Sequence, residues 1–130
     1  MAAPVSTLQV LRDGARNYVV KATFISGGLD QALTTIVNCA TANPPFGTHG
    51  KITRVDYDII PGGLVRLSWE APPTHTDILD LGGFDHKSFK FQGGLMNNGG
   101  GSATGNVLIS TQGFTAGYQY TVIIEMVKCV

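Results

Sequence analysis

The feature that most constrains this chain is an alternation with period two, cut at short intervals by glycine and proline. Near the end of the sequence Tyr118, Tyr120, Val122, Ile124 and Met126 share one parity, and Gln119, Thr121, Ile123, Glu125 and Val127 the other. One face is wholly apolar or aromatic and the other mixed, the pattern of an antiparallel strand with one side on a core. Residues 17 to 25 behave alike, with Tyr18, Val20, Ala22 and Phe24 opposed to Val19, Lys21, Thr23 and Ile25. Both segments are rich in β-branched and aromatic side chains, which suit a pleated surface.

The same reading predicts further strands at Thr7 to Arg12, Thr34 to Cys39, Lys51 to Ile60, Val65 to Glu70, Asp77 to Leu81, Ser88 to Phe91 and Val107 to Thr111. Turn signals separate them: Asp13-Gly14, Gly27-Gly28, Pro44-Pro45, Pro61-Gly62-Gly63, Pro72-Pro73, Gly82-Gly83 and Gly113. Pro61-Gly62-Gly63 joins two strong strands and predicts a hairpin, because proline presets φ and glycine accepts a positive one. No window carries an apolar i, i+3, i+4 stripe of helical length, and residues 29 to 38 alone leave room for one helical turn. About nine short strands predict an all-β fold, a single-domain antiparallel β-sandwich over residues 1 to 130, jelly-roll-like. Strand count by itself leaves the connectivity open.

Residues 93 to 105 stand apart, with six glycines in Gly-Gly-Leu-Met-Asn-Asn-Gly-Gly-Gly-Ser-Ala-Thr-Gly. So little bulk cannot furnish core. The segment is predicted to be a long loop whose apolar contacts are Leu95 and Met96.

Composition bounds the rest. At 130 residues and 43% hydrophobic the chain can bury a core without disulfides or metals. Only 14% is charged, which leaves a neutral surface suited to being covered by neighbours, although a tightly turned β-protein has the same look. Net charge is zero and the nine basic residues are scattered from Arg12 to Lys128. Gripping nucleic acid needs clustered cations that displace counterions, so no nucleic-acid partner is expected. Met1-Ala2-Ala3-Pro4 lacks the charged and apolar regions of a signal peptide, and no apolar run reaches membrane-spanning length. Synthesis in the cytoplasm and no membrane partner are therefore expected. Cys39 and Cys129 lie far apart and read as small buried hydrophobes rather than a disulfide or metal site.

No segment carries a catalytic or cofactor motif. The glycine-rich stretch lacks the Lys-Ser/Thr of a phosphate-binding loop, since Gly100 and Gly101 follow Gly99, and a dinucleotide fingerprint fails at Thr104. His75, Asp77, Asp80, Asp85 and His86 are metal-ligand types, but alternation puts Asp77 and Asp80 on opposite faces of one strand. Asp56 and Asp58 share a face with Ile52, Arg54 and Ile60, opposite Val55, Tyr57 and Ile59. Arg54 beside two carboxylates reads as a charge ladder on an exposed face, with no cleft forecast for a hydrolytic pair. Ser68, Ser88 and Ser110 lack a nucleophile-elbow motif, and Cys39 has no histidine partner in sequence. Trp69 is read as an anchor of the core or its rim. The expectation is a non-enzyme with no catalytic residues, no cofactor and no metal.

Several ordered segments resemble a family of small virion structural proteins of tailed bacteriophages. Asp13-Gly14-Ala15-Arg16-Asn17 and the apolar strand after it are similar to that family's DGxRN run. Arg54-Val55-Asp56-Tyr57-Asp58-Ile59 and Val65-Arg66-Leu67-Ser68-Trp69-Glu70-Ala71 follow. Gly93-Gly94-Leu95-Met96-Asn97-Asn98 resembles its GGLxNN, with Thr104-Gly105 and Ser110-Thr111-Gln112-Gly113 beyond, and the chain closes on Tyr120 to Lys128. The resemblance implies a structural protein of the phage particle, made in the host cytoplasm. Within the particle, a head decoration or cement protein on the capsid surface is the first expectation, by analogy of size and class. Its partners would be the major capsid protein and further copies of itself, as a dimer or trimer. A carbohydrate- or receptor-binding module of a fibre, or a tail or connector component, is the alternative. The N-terminal arm (residues 1 to 6), with the segment to residue 12, and the loop 93 to 105 are the expected contact segments. Val5, Thr7, Gln9, Leu95, Met96, Asn97 and Asn98 are the candidate contact residues.

Overall fold

The computed structural model describes residues 5–28, 30–42, 50–72, 74–89, 94–97 and 103–128. Asn98, the first four residues of the N-terminal arm, the Pro44-Pro45 turn and Cys129 lie outside these. Alternation becomes strand wherever it is strong: β1 (Val5–Asp13), β2 (Asn17–Ile25), β3 (Thr34–Val37), β4 (Lys51–Ile59), β5 (Leu64–Ala71), β6 (Thr74–Leu81), β7 (Phe84–Ser88), β8 (Val107–Gln112) and β9 (Gln119–Val127). Residues 30–33 form no helical turn.

The strands make two antiparallel sheets, ordered β1-β2-β9-β4-β7 and β3-β8-β5-β6. Pairing is nested: β2 with β9, β3 with β8, β4 with β7, and β5 with β6. That is one long antiparallel ribbon rolled up on itself, its tip between Ala71 and Thr74. Side pairing of β4 on β9 and β5 on β8 completes each sheet. The eight strands β2 to β9 thus form a jelly roll, and the sequence's expectation of a β-sandwich holds with its connectivity now fixed.

Between the sheets lies the core. Tyr18, Val20, Ala22 and Phe24 of β2 and Tyr120, Val122, Ile124 and Met126 of β9 are buried as their parity requires. Val65, Leu67 and Trp69 of β5 and Val107 and Ile109 of β8 meet them from the other side. Each fully buried side chain of this kind contributes about 1.5–3 kcal/mol. Trp69 is a core residue, 1% exposed.

Three expectations are corrected. Pro61-Gly62-Gly63 does not close a hairpin, because β4 and β5 belong to different sheets. Gly63 N–H donates to the Ile60 carbonyl at 3.2 Å and Gly62 has φ 94°, a turn with proline second and glycine third that carries the chain across the sandwich. Turn residues report the local bend, not which sheet the next strand joins. Ile52 does not share the face of Arg54 and Asp56. The register against β9 shifts between Ile52 and Arg54, and the extra residue, Thr53, turns Ile52 into the core. Of the strand foreseen at Ser88 to Phe91, Ser88 closes a strand that begins at Phe84, Phe89 lies beyond it, and residues 90 and 91 lie outside the described residues; all five residues of Phe84–Ser88 are exposed, so no alternation marked it.

Candidate functional site

Strand β1 is additional to the jelly roll and, among the described residues, pairs only with β2. Its parity matches the inner face, since Ser6, Leu8 and Val10 stand opposite Phe24, Ala22 and Val20. The four-stranded sheet does not cover it, and residues 6–12 are all exposed. Leu8 and Val10 are each 49% exposed and Leu11 47%. Among the described residues no strand pairs with the far edge of β1, which there presents backbone N–H and C=O groups beside apolar side chains, a template for another strand. Of the sequence candidates, Thr7 and Gln9 sit here in the open; Val5 pairs with Ile25, and its side chain is not described.

The end of β1 is held firmly. Lys128, its side chain wholly buried, forms an ion pair with Asp13 and lies 5.7 Å from the centre of the Tyr18 ring. Burial, and then the Asp13 charge, raise the Tyr18 hydroxyl above its ordinary pKa.

The glycine-rich segment is partly committed to its own fold. Leu95 bridges Ile52, donating at 2.7 Å and accepting at 3.1 Å, and is packed against the core. Gly94, at φ 95°, sits so close to Lys51 that an added Cβ would fall 3.0 Å from that residue's Cβ. Met96 is 68% exposed and Asn97 half-buried. Beyond the glycines, Thr104 and Asn106 donate side-chain hydrogen bonds to the Glu70 carboxylate at 2.9 and 3.2 Å. The buried Cys39 thiol donates to the Thr104 carbonyl at 3.1 Å and the Asn106 side-chain oxygen at 3.2 Å.

The histidine and carboxylate residues between 75 and 86 divide into two groups. Asp77 and Asp80 meet on one side, contrary to strict alternation, because the β5–β6 register slips where Leu67 pairs with Leu79 and Ser68 with Asp77. Ile78 is the extra residue, and Arg66 takes both carboxylates, at 2.7 and 3.3 Å to Asp80 and 3.5 Å to Asp77. Its hydrogen bond holds Asp80 below the usual carboxylate range, and the same bond raises the guanidinium. Ser68 donates to Asp77 at 3.1 Å and His75 lies 3.4 Å from the same oxygen. A catalytic triad needs histidine between serine and aspartate. Here aspartate is in the middle and Ser68 is fully buried, so the trio does not have the order of a catalytic triad.

The second group lies on the outer face of the five-stranded sheet, where sequence reasoning foresaw no cleft. Cross-strand pairing sets Phe84, Asp58 and Thr121 in one row and His86, Asp56 and Ile123 in the next. Two adjoining depressions of about 300 and 550 Å³ share Asp58 and Thr121 in their walls, and the larger, with Phe84 and Gln119 also lining it, forms the groove. Arg54 donates to Asp56 at 2.9 Å, while the Asp85 carboxylate accepts the His86 backbone N–H at 2.7 Å. The Phe84 ring is 82% exposed at the rim. The sequence signal for this groove is the polar parity of β4; its other walls come from distant segments. Among the described residues no three His, Cys, Asp or Glu side chains are placed to hold a metal ion.

No family model matches the sequence, and no curated protein matches it. Among solved structures the chain is similar to a cupin domain from Bordetella pertussis Tohama I, at 12% identity and a TM-score of 0.44 over 99% of each chain. A likeness that remote carries no argument about function. No helix among the described residues is long and apolar enough to cross a membrane.

Proposed function

We propose that the protein is a non-enzymatic structural component of a tailed-phage virion, a decoration or cement protein bound to the major capsid protein on the head surface. The observation that carries this reading is β1. A ninth strand that covers no core, exposes Leu8, Val10 and Leu11, and holds no charge between Val5 and Leu11 is built to be covered by another chain. Edge pairing supplies backbone hydrogen bonds for affinity, and alternate side chains supply fit. Met96, exposed on the short segment bridged to β4, is a second contact. The resemblance of the sequence to small phage virion proteins supplies the particle. As a dimer or trimer, the protein would turn a modest contact into a strong one by binding at several points.

The test is co-sedimentation of purified protein with expanded heads that lack it, with copies per head counted. Saturable binding, with new hydrogen-exchange protection in residues 5–12, is the expected result. Heads that remain bare at saturating protein overturn the proposal and move the weight to a tail or fibre location.

A further inference from the structure

The groove on the outer face of the five-stranded sheet has no role in that reading. It spans β9, β4 and β7, so its near wall is two strand spacings, about 10 Å, from β1 and its far wall is the opposite edge of the sheet. A protein seated by β1 would therefore present the groove's far wall away from its support.

Four side chains define its chemistry. Phe84 opens β7 just after Gly83, and its ring is almost fully in water. Asp58 is its cross-strand partner and stands between Phe84 and Thr121. Asp58, Thr121 and Gln119 make no side-chain hydrogen bond or ion pair with any described residue, in contrast to Asp56, held by Arg54, and Asp85, turned to the His86 backbone. The groove thus offers one flat apolar plate, one uncommitted carboxylate acceptor, one amide that both donates and accepts, and one hydroxyl.

Electrostatics narrows the ligand. Asp58 is the one charged group among the residues that line the larger depression, so phosphate, sulfate and acidic sugars are disfavoured there. A lysine or arginine side chain would satisfy Asp58 but carries no acceptor for the Gln119 and Thr121 donors. A pyranose ring satisfies all of them. Its axial C–H face is apolar and lies flat on an aromatic ring, while its equatorial hydroxyls point outward in the ring plane as both donors and acceptors.

We propose that the Phe84–Asp58–Gln119–Thr121 groove binds a neutral pyranose unit of a glycan, stacked on Phe84 with vicinal hydroxyls donating to Asp58. This site stands independently of the head-binding reading, because sugar binding and head binding are measured separately and involve different residues.

The experiment is saturation-transfer NMR with a panel of neutral hexoses and N-acetylhexosamines at millimolar concentration and an oligolysine peptide beside them, repeated with Phe84→Ala and Asp58→Asn. At least one sugar is expected to take up saturation through its ring C–H protons. Amide shifts should centre on residues 58, 84, 119 and 121, and each variant should weaken binding about tenfold or more. Both substitutions are at exposed positions, so an unchanged thermal melt separates a lost ligand from a lost fold. Silence from the whole panel overturns the proposal, as does binding that Phe84→Ala leaves intact. A response only to an oligolysine peptide overturns it too and gives the groove to a cationic segment. Phe84→Ala protein should still sediment with heads.

Discussion

Replacing Gly63 by alanine should destabilise the fold through a single contact, the Phe114 ring. Gly63 is buried at the crossing between the sheets, and a Cβ built there would lie 2.4 Å from Phe114 Cε1 and 2.8 Å from Cδ1. Carbon atoms in contact sit at about 3.5–4.0 Å, so the ring must move by on the order of 1 Å. It has little room to do so. Phe114 is buried, with ring centroids of Phe24, Tyr120 and Tyr118 at 6.1, 6.1 and 5.9 Å, and its N–H is tied to the Asp30 carboxylate at 2.7 Å. Overpacking of this kind costs about 2–3 kcal/mol, and at about 3–4 °C per kcal/mol for a domain of this size the melting temperature should fall by about 6–12 °C. Phe114→Leu alone should cost about 1–2 kcal/mol through lost ring burial. With the smaller leucine side chain in place of the ring, the added methyl has space. The double variant should then be more stable than the sum of the singles by about 1–2 kcal/mol. Gly83→Ala is the control. Gly83 has φ 74° and nothing within 4 Å of where an added methyl would sit, so its cost of about 1–2 kcal/mol is backbone strain alone and should be additive with Phe114→Leu. Urea melts of the parent, the three single variants and the two double variants measure all of this. Additivity of Gly63→Ala with Phe114→Leu to within about 0.5 kcal/mol would refute the steric argument.

Leu8→Lys should leave the unfolding free energy within about 0.5 kcal/mol, because the residue is half exposed and covers nothing, yet weaken head binding at least about tenfold; equal binding by the variant counts against β1 as the contact. Tyr120 is buried, its hydroxyl donates to Gln31 at 2.6 Å, and burial raises its pKa. The unfolded chain therefore releases this proton first, so stability is fully present below about pH 10 and declines as pH rises past it. Tyr120→Phe should flatten that decline in melts taken across the alkaline range, with Tyr18 supplying the remainder. In a Cys129→Ser background, Cys39 should react with a thiol reagent only as fast as the protein opens, since its Sγ is buried against Thr104 and Asn106; rapid labelling of the native protein would contradict the packing.

How much is legible in the sequence follows from which forces are local. β2 is readable to the residue, Asn17 to Ile25, and β9 nearly so, because each has one wall of core and one of solvent and alternation records this directly. Bulges are not readable. Thr53 and Ile78 each add one residue that tertiary pairing must accommodate, and each reverses parity for what lies beyond it; hence alternation alone puts Ile52 outside and parts Asp77 from Asp80. The Pro61-Gly62-Gly63 bend is visible but the partner strand is not, since hairpin and sheet-to-sheet crossing use the same turn chemistry. The groove is hidden for a further reason. Asp58, Phe84 and Thr121 come from three strands brought side by side by the rolled ribbon, and no spacing rule connects them.

The two edges of the five-stranded sheet differ in a way that bears on both proposals. An open edge invites unwanted pairing, and proteins usually blunt it with short length and charge. β7 follows that rule: five residues, with Asp85, His86 and Lys87 in succession. β1 breaks it over most of its nine residues, with no charge before Arg12 and three half-exposed aliphatic side chains. Its one protective feature, a register shift between Val10 and Arg12, affects only the end nearest the turn. An edge left open next to one carefully closed is hard to explain for a chain that works alone, because the unprotected edge would cost solubility without helping the core. It is explained if β1 is normally occupied. The charged edge at β7 then stays free of strands, which keeps the Phe84 groove open to a small ligand.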